Sequence, residues 1–224
     1  MKIGKIVAIV AVIIVVVIGG GAAYLASLDM DTYRPEIAKA AKDATGRTLK
    51  LEGTLSLAVS LTPTVSGEGI SFANATWGSR PQMLTLRRFE VQLSLIPLLF
   101  GDIQINRLIL IEPDILMETD KNGKGNWVFD EAAAAKSETE AADEGAGAIP
   151  HIGELQIKNG LLTYNDGVSG ETIKVKLTSI EADAASTSDP LNFVVQAAYN
   201  DMPVKLKGKA GPFKNAMDPV APMQ

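Results

Sequence analysis

The most prominent hydrophobic feature of the chain is an uninterrupted apolar run near the amino terminus. Residues 6–28 carry no charged side chain and are mostly Ile, Val, Ala and Gly. Because a helix rises about 1.5 Å per residue, this run spans about 30 Å, the thickness of the hydrocarbon core of a bilayer. It predicts a transmembrane anchor behind a short cytoplasmic tail, residues 1–5. Representative residues of the anchor are Ile6, Val10, Ile14, Val17 and Leu25.

A cleaved signal peptide is the alternative interpretation of this run, because the small residues at positions 20–23 could be recognised by a peptidase. The apolar run continues past them to Leu28, which favours a retained anchor. Both interpretations carry the rest of the chain out of the cytoplasm.

Positive charge on the two sides of the run is almost balanced, so the positive-inside rule leaves the orientation nearly open. Lys2 and Lys5 precede the run, whereas Arg34, Lys39 and Lys42 follow it. The short amino-terminal tail and the acids directly after the span favour an amino terminus in the cytoplasm. We therefore expect a single-pass protein of a bacterial inner membrane, with the bulk of the chain in the periplasm.

After the run the hydrophobic pattern changes twice. Asp31 or Thr32 can cap a helix that ends at about Thr45, and Gly46 is suited to its carboxyl-terminal cap. From Leu49 the apolar residues recur at every second position, the period of a strand with one apolar and one polar face. Three groups carry this period: Leu49, Leu51, Leu55, Leu57, Val59 and Leu61; Phe89, Val91, Leu93 and Leu95; and Ile173, Val175 and Leu177.

Further stretches with a strand pattern make the chain mostly β. The alternation at Leu84 and Leu86 shifts by one position at Arg87–Arg88, which predicts a bulge or a strand break. Asn122–Gly123 and Asn165-Asp166-Gly167 are turn signals. Other predicted strands cover residues 103–110, 115–119, 152–157, 161–164, 173–177, 193–199 and 204–207.

An internal repeat joins two of these regions. At an offset of 47 residues, apolar positions of the first copy coincide with apolar positions of the second. The first copy contains Ile105, Leu108, Leu110, Ile115 and Met117, and the second contains Ile152, Leu155, Ile157, Leu162 and Tyr164. We interpret each copy as a strand, a turn at Pro113 or Gly160, and a second strand. Such repetition predicts an elongated, antiparallel sheet that grows by addition of units.

Composition divides the chain into segments. Residues 131–148 are mainly Ala, Glu, Ser and Gly with five acids and one base, which predicts an acidic flexible loop. This loop separates a helix and first sheet segment, residues 29–130, from a second sheet segment, residues 149–210. The tail, residues 211–224, contains three prolines, and we expect no regular structure there.

Composition also excludes several classes of function. The chain has no cysteine and a single histidine, His151, which speaks against thiolate chemistry, zinc sites and His-based catalytic triads. It lacks the basic stripe that nucleic-acid binding requires. Acidic pairs such as Asp143–Glu144 lack the spacing of a calcium loop, and no nucleophile–base pair can be assembled. We expect no enzymatic activity, no catalytic or metal-binding residue, and no cofactor other than a bound phospholipid.

Several short motifs follow one another in an order that is more specific than any of them alone. A helix ends in Thr45-Gly46-Arg47, and Leu49-Lys50-Leu51-Glu52-Gly53 follows. Downstream come Pro97-Leu98-Leu99-Phe100-Gly101 and Gly125-Asn126-Trp127. In this order the chain resembles the amino-terminal region of AsmA-family proteins over about residues 1–210. The matching positions, to which we assign structural roles, are Gly46, Arg47, Gly53, Trp77, Pro97, Gly101, Pro113, Asn126 and Trp127.

The resemblance implies a periplasmic protein that is tethered to the inner membrane and acts in outer-membrane assembly. Longer family members are associated with phospholipid movement and are similar to chorein-type bridge proteins, whose curved sheet forms an apolar groove. By this resemblance the three alternating groups line a lipid groove; an ordinary buried core is the alternative. The apolar stripe of the predicted helix is mostly Ala and would cover a large sheet poorly, which favours the groove.

The length of the chain keeps a second function open. About ten strands at about 4.8 Å spacing give a sheet of about 50 Å, too short to bridge an envelope alone. A non-catalytic accessory or assembly subunit that docks on an envelope protein complex is therefore the alternative to lipid shielding or transfer. Membrane lipids are the expected partners in the first case and an envelope complex in the second.

Three smaller features also have two interpretations each. The alternating lysines at positions 174–176 and 205–209 could attract anionic headgroups, but a solvated face is the commoner role. Residues 97–100 predict a buried corner between strands, with a lipid-contacting loop as the alternative. Trp77 and Trp127 could lie at a membrane interface, although packing on the turn beside Gly125–Asn126 is favoured for Trp127.

Overall fold

The computed structural model describes four stretches of the chain, residues 29–100, 104–129, 152–186 and 188–212. The predicted tail and anchor at 1–28, Gly101, the predicted acidic loop at 131–148, His151 and most of the predicted carboxyl-terminal tail lie outside them. Within the four stretches, no helix combines the length and apolar character needed to cross a membrane.

The first described segment is helical. A short 3₁₀ turn, Met30–Tyr33, leads into helix α1, Arg34–Thr45. Gly46 ends α1 with a φ of 72°, as the sequence predicts. The amino-terminal cap lies earlier than predicted, because Asp29 Oδ1 accepts a hydrogen bond from Asp31 N at 3.0 Å and caps the 3₁₀ turn. The helix packs mainly against the first strand of the sheet.

Nine strands form one large open sheet in the described part of the chain. They are β1 (Leu49–Leu51), β2 (Leu55–Ala58), β3 (Thr64–Ala73), β4 (Gln82–Leu93), β5 (Ile105–Glu118), β6 (Ile152–Asn165), β7 (Thr172–Asp183), β8 (Pro190–Tyr199) and β9 (Met202–Pro212). A five-residue helix, α2 (Leu95–Leu99), connects β4 to β5. The spatial order is β1-β3-β4-β5-β6-β7-β8-β9, and β2 pairs with β3 in line with β1. A mostly β chain with few helices is thereby confirmed.

The direction of one strand pair corrects the predicted topology. All neighbouring strands are antiparallel except β5 and β6, which are parallel. A purely antiparallel sheet is therefore the wrong prediction, and the sheet is mixed. A parallel pair requires a crossover connection of a dozen or more residues, and residues 119–151 provide one.

The internal repeat in the sequence corresponds to the pairing register of β5 and β6. Ile105 lies opposite Ile152, Leu108 opposite Leu155, and Ile115 opposite Leu162, so the sequence offset of 47 is the pairing offset. The turns predicted at Pro113 and Gly160 are wrong, because β5 and β6 each continue through these positions as single strands. Pro113 is fully buried there.

The strands share an irregularity along one transverse row, which we call the bend row. It consists of residues that the strand pairing passes over between matched flanking pairs, Gly69, Arg87, Glu112, Asn159 and Thr178. Three of them have a left-handed φ of 62°, 52° and 54°, namely Gly69, Glu112 and Asn159. At Thr178 the register of β7 against β8 shifts by one residue. Such bulges bend strands and interrupt their alternation.

The bend row explains the phase shift seen in the sequence. The break predicted as one alternative at Arg87–Arg88 is wrong, since β4 runs unbroken through it. The pairing with both neighbouring strands passes over Arg87, so the phase shift in β4 lies at Arg87, in line with Gly69 and Glu112. Arg87 Nε also forms an ion pair with Glu112 Oε1 at 2.9 Å.

The first predicted strand is also interrupted. Gly53 lies between β1 and β2 in close contact with β3, where a Cβ atom would come within 2.6 Å of Glu68 O. Val59 and Leu61, predicted on the apolar face, lie beyond the end of β2. Local bonds between Ser60 and Thr62 replace strand pairing there, because Thr62 N donates to Ser60 Oγ at 3.1 Å. Leu95, also predicted on a strand, lies in α2.

Candidate functional site

One face of the sheet is apolar and the other is charged. On the polar face, Arg88 pairs with Glu68 and Glu90 at 3.2 and 2.9 Å, and Arg107 pairs with Glu154 at 2.6 Å. One row of the opposite face contains Val65, Val91, Leu108, Leu155, Ala182 and Phe193. A second row, on the other side of the bend row, contains Phe72, Leu84, Ile115, Leu162, Val175 and Tyr199.

The two apolar rows lie on the same side of the sheet. Strand β8 alternates regularly, so Val195 and Ala197 share a face. The register places Val195 opposite Ile180 and Ala197 opposite Leu177. Leu177 and Ile180 therefore share that face although they are three residues apart, which is the effect of the extra residue at the bend row.

The apolar rows next to the bend row contain several buried side chains. Ile70, Leu86, Pro113 and Leu177 on one side of it are buried, and so are Leu55 and Ile157 on the other. The apolar face is therefore most protected from solvent along the bend row.

The residues predicted for the apolar face lie in several parts of it. Leu55 and Phe89 meet across Gly67, where a Cβ atom would come within 2.7 Å of Leu55 Cδ2. The register joins Leu49 to Phe72, Leu51 to Ile70, Leu57 to Val65, and Val65 to Val91. Leu93 ends β4, and Ile173, Val175 and Leu177 lie on β7.

Sequence reasoning left half of this face unassigned. The missed residues lie on β5, β6, β8 and β9: Leu108, Leu110, Leu155, Ile157, Phe193, Val195 and Leu206. The sequence shows that these residues alternate along their strands. It does not show which alternate set shares a face with the neighbouring strand, because that depends on the pairing register.

Much of the apolar face is uncovered in the described part of the chain. Helix α1 packs mainly against β1 at one edge. Toward the other edge the apolar residues are exposed, among them Leu206 at 54% and Met202 at 62%. An exposed apolar surface of this extent marks a binding site for lipid, ligand or protein.

An aromatic segment, residues 127–129, lies against the apolar rows near the other edge. The rings of Trp127 and Tyr164 have centroids 6.4 Å apart, and those of Phe129 and Phe72 are 6.0 Å apart at 78°. The guanidinium of Arg47 lies 4.9 Å above the Phe129 ring. Arg47, from the end of α1, thus holds a segment more than 80 positions away in sequence.

A buried polar cluster fixes the start of this aromatic segment. Asn126 has no exposed surface, and Glu118 is only 4% exposed. Asn126 Nδ2 donates to Asn74 Oδ1 at 3.0 Å and to Leu116 O at 2.9 Å, while Asn126 Oδ1 accepts from Glu118 N at 3.1 Å. Asn74 Nδ2 in turn donates to Glu118 Oε1 at 2.6 Å. The family-pattern residue Asn126 therefore has a positioning role.

The charge of Glu118 is stabilised inside this cluster. Burial alone would raise the pKa of Glu118, but hydrogen bonds from Ser79 and Asn74 outweigh it and hold the pKa below the usual value of 4.5. Ser79 N lies 2.9 Å from Glu118 Oε1. The carboxylate is thus a structural acceptor, and within the described residues no group of acidic or histidine side chains could hold a metal ion.

The first edge of the sheet is closed by side chains from the helical segment. Arg34 donates to Leu51 O and Gly53 O, at the gap between β1 and β2. Asp31 Oδ1 accepts a hydrogen bond from Leu55 N at 3.2 Å and also pairs with Arg34. These contacts occupy backbone groups that would otherwise be free to pair with another strand.

The smaller predictions have mixed outcomes. The buried corner predicted at residues 97–100 is wrong for Phe100, which is 83% exposed; Pro97 lies within α2 and is half-buried. Trp77 lies in the turn between β3 and β4, partly exposed, and the ring of Trp127 lies close to Gly125. Lys176 Nζ pairs with Asp201 Oδ1 at 2.7 Å on an exposed surface.

These features define a class of protein: within the described residues, a mostly β scaffold whose large open, mixed sheet has one apolar face. The model of the AsmA family matches residues 1–211, and the chain belongs to that family. No curated protein sequence matches the chain significantly. Membership of the AsmA family supports a function related to envelope biogenesis, and the family is not known for enzymatic activity.

Proposed function

We propose that this chain is an inner-membrane-anchored periplasmic protein that shields or transfers phospholipid along the apolar face of its sheet, without catalysing a reaction. The observation that carries the proposal is the apolar face on both sides of the bend row, whose side chains are exposed toward β9 in the described residues. Acyl chains need a dry, apolar surface, and their headgroups need access to water; an open trough meets both needs.

The two edges of the sheet differ, because the edge at β1 and β2 is closed by side chains and the edge at β9 is open. Asp31 and Arg34 close the edge at β1 and β2, whereas in the described residues no strand pairs with the outer side of β9. Eight strand positions at about 4.8 Å give a groove of about 35 Å, shorter than the 50 Å expected because β1 and β2 share one position. An acyl chain is about 15 Å long, half of a bilayer core, so we expect one or two bound phospholipids.

Native mass spectrometry of the gently extracted full chain, with lipid analysis of the same sample, tests this proposal. Val195→Glu places a charge on the apolar face, and Gln196→Glu places the same charge on the adjacent polar face of β8. We expect Val195→Glu to lose the bound phospholipid and Gln196→Glu to retain it. Equal lipid content in both folded variants would show that the apolar face does not hold lipid.

A second candidate function, a non-catalytic subunit that docks on an envelope complex, is favoured by the edge at β9. Its apolar side chains, Val204 and Leu206, are exposed, and Lys205 and Lys207 alternate with them on the polar face. A partner strand could add to this edge by main-chain pairing. Recovery of a stoichiometric protein partner in place of lipid, lost on substituting Val204→Pro, would support this function.

A further inference from the structure

The three most exposed large apolar side chains among the described residues lie close together in the fold. Leu61, Phe100 and Ile96 are 84%, 83% and 72% exposed. Leu61 belongs to the connection between β2 and β3, and Ile96 and Phe100 belong to the connection between β4 and β5. These connections are neighbours, because Leu93 N donates to Pro63 O at 2.8 Å. We call this surface the apolar tip.

The apolar tip is also poor in charge. Residues 53–67 and residues 91–101 contain no Asp, Glu, Lys or Arg, and Asp102 is the one charged residue in the sequence of the second connection. Turns that remain in water are usually rich in polar and charged residues. A tip poor in charge with three exposed aliphatic or aromatic side chains has the composition of a surface that is covered in use.

The position of the first described residues indicates what covers it. The chain enters the fold beside β2, where Asp31 binds Leu55 N, and the apolar run 6–28 precedes that point. Helix α1 then leads away to the opposite strand ends, where Arg47 contacts Met83 and Phe129. The first described residues therefore lie beside β2, the strand that leads into Leu61, on the same half of the sheet as the apolar tip.

We propose that Leu61, Ile96 and Phe100 insert into the surface of the bilayer that holds the anchor, an inference that rests on the membrane location in the proposed function. Aliphatic and aromatic side chains without nearby charge are suited to the boundary between headgroups and acyl chains. The contact holds the groove beside the membrane, so that a lipid can pass between them over a short distance.

Fluorescent labelling tests the apolar tip directly, because the chain has no cysteine of its own. Single cysteines at Leu61, Ile96 and Phe100 are labelled with an environment-sensitive fluorophore in the full chain, reconstituted in phospholipid vesicles. Val168 serves as the control, since it is 66% exposed but lies in the connection between β6 and β7, at the opposite strand ends. Spin-labelled lipids then report contact with the bilayer by quenching.

We expect blue-shifted emission and quenching by spin-labelled lipid at the three tip positions and not at Val168. Unshifted emission at the tip, or failure of the chain to associate with vesicles, would overturn the proposal. A blue shift without quenching by lipid, which grows with the ratio of protein to lipid, would show that a second copy covers the tip. This readout does not depend on whether the apolar face holds lipid. If the labelled tip is quenched in a protein without bound lipid, the result supports bilayer contact by the tip and contradicts lipid binding on the apolar face.

Discussion

The two halves of the sheet that meet at the bend row are stabilised in different ways. The half next to Asn126 is held by a buried polar cluster whose members lie on β5 and in the loops after β3 and β5. The half that ends at Leu61, Ile96 and Phe100 has apolar contacts and the partly exposed ion pairs of Arg88 and Arg107, and it ends in exposed apolar loops. The first half therefore has buried hydrogen bonds that fix its geometry. The second half ends in the exposed side chains that we propose to contact the bilayer.

Breaking the polar cluster has the largest expected effect. Asn126→Ala removes three hydrogen bonds in a site without exposed surface and leaves Asn74 Oδ1 and Leu116 O without this donor. We expect a loss of about 3 kcal/mol in the free energy of unfolding, measured by urea denaturation. The control Asn122→Ala, in the exposed turn nearby, should change it by less than about 0.5 kcal/mol. Equal values for the two variants would contradict a special role for the cluster.

Truncation of a buried apolar side chain next to the bend row has the second largest expected effect on stability. Ile157→Ala, next to the bend row and 9% exposed, should cost about 2 kcal/mol, the low end for a buried aliphatic residue because one side is open. Leu206→Ala, in the same apolar row but 54% exposed, should cost less than about 1 kcal/mol. A cost at Leu206 that matches Ile157 would mean that the face toward β9 is covered.

Acid should weaken the Asn126 half in particular. The pKa of Glu118 in the folded chain lies below its usual value of 4.5, so its contribution to stability is complete above that value and is lost as the pH falls through the folded-state pKa. Urea midpoints measured between pH 7 and lower pH should therefore fall less steeply in Glu118→Gln than in the unmodified chain. In Glu118→Gln, the remaining pH dependence of the urea midpoint comes from exposed acids with lowered pKa, such as Asp166. An identical slope would show that Glu118 does not titrate with folding.

Substitutions at the apolar tip have the smallest expected effect on stability. Leu61→Ser with Phe100→Ser removes two side chains that are more than four-fifths exposed. We expect a change of less than about 0.5 kcal/mol in the free energy of unfolding without membrane, together with weaker binding to vesicles. A large loss of stability in water would instead place these side chains in the fold.

Alternation predicted most of the strands and part of the apolar face, because it depends on local residues. Strand β3 was not predicted, since its apolar residues Val65, Ile70 and Phe72 do not keep one phase. The sequence also contained the register of β5 and β6 as the repeat offset, with the shift at Arg87–Arg88 as a sign of the bend row. Alternation carries no strand direction, so the parallel pair was missed. The cluster of Asn74, Glu118 and Asn126 was missed because its members are up to 52 positions apart and meet only in the fold.

Site-specific photo-crosslinking along β8 in the living cell tests most directly whether the apolar face holds phospholipid. A crosslinking residue is placed in turn at Phe193, Val194, Val195 and Gln196, whose side chains alternate between the two faces. The account predicts phospholipid adducts at Phe193 and Val195 and none at Val194 and Gln196. Adducts at all four positions, or only protein adducts at the apolar positions, would contradict it.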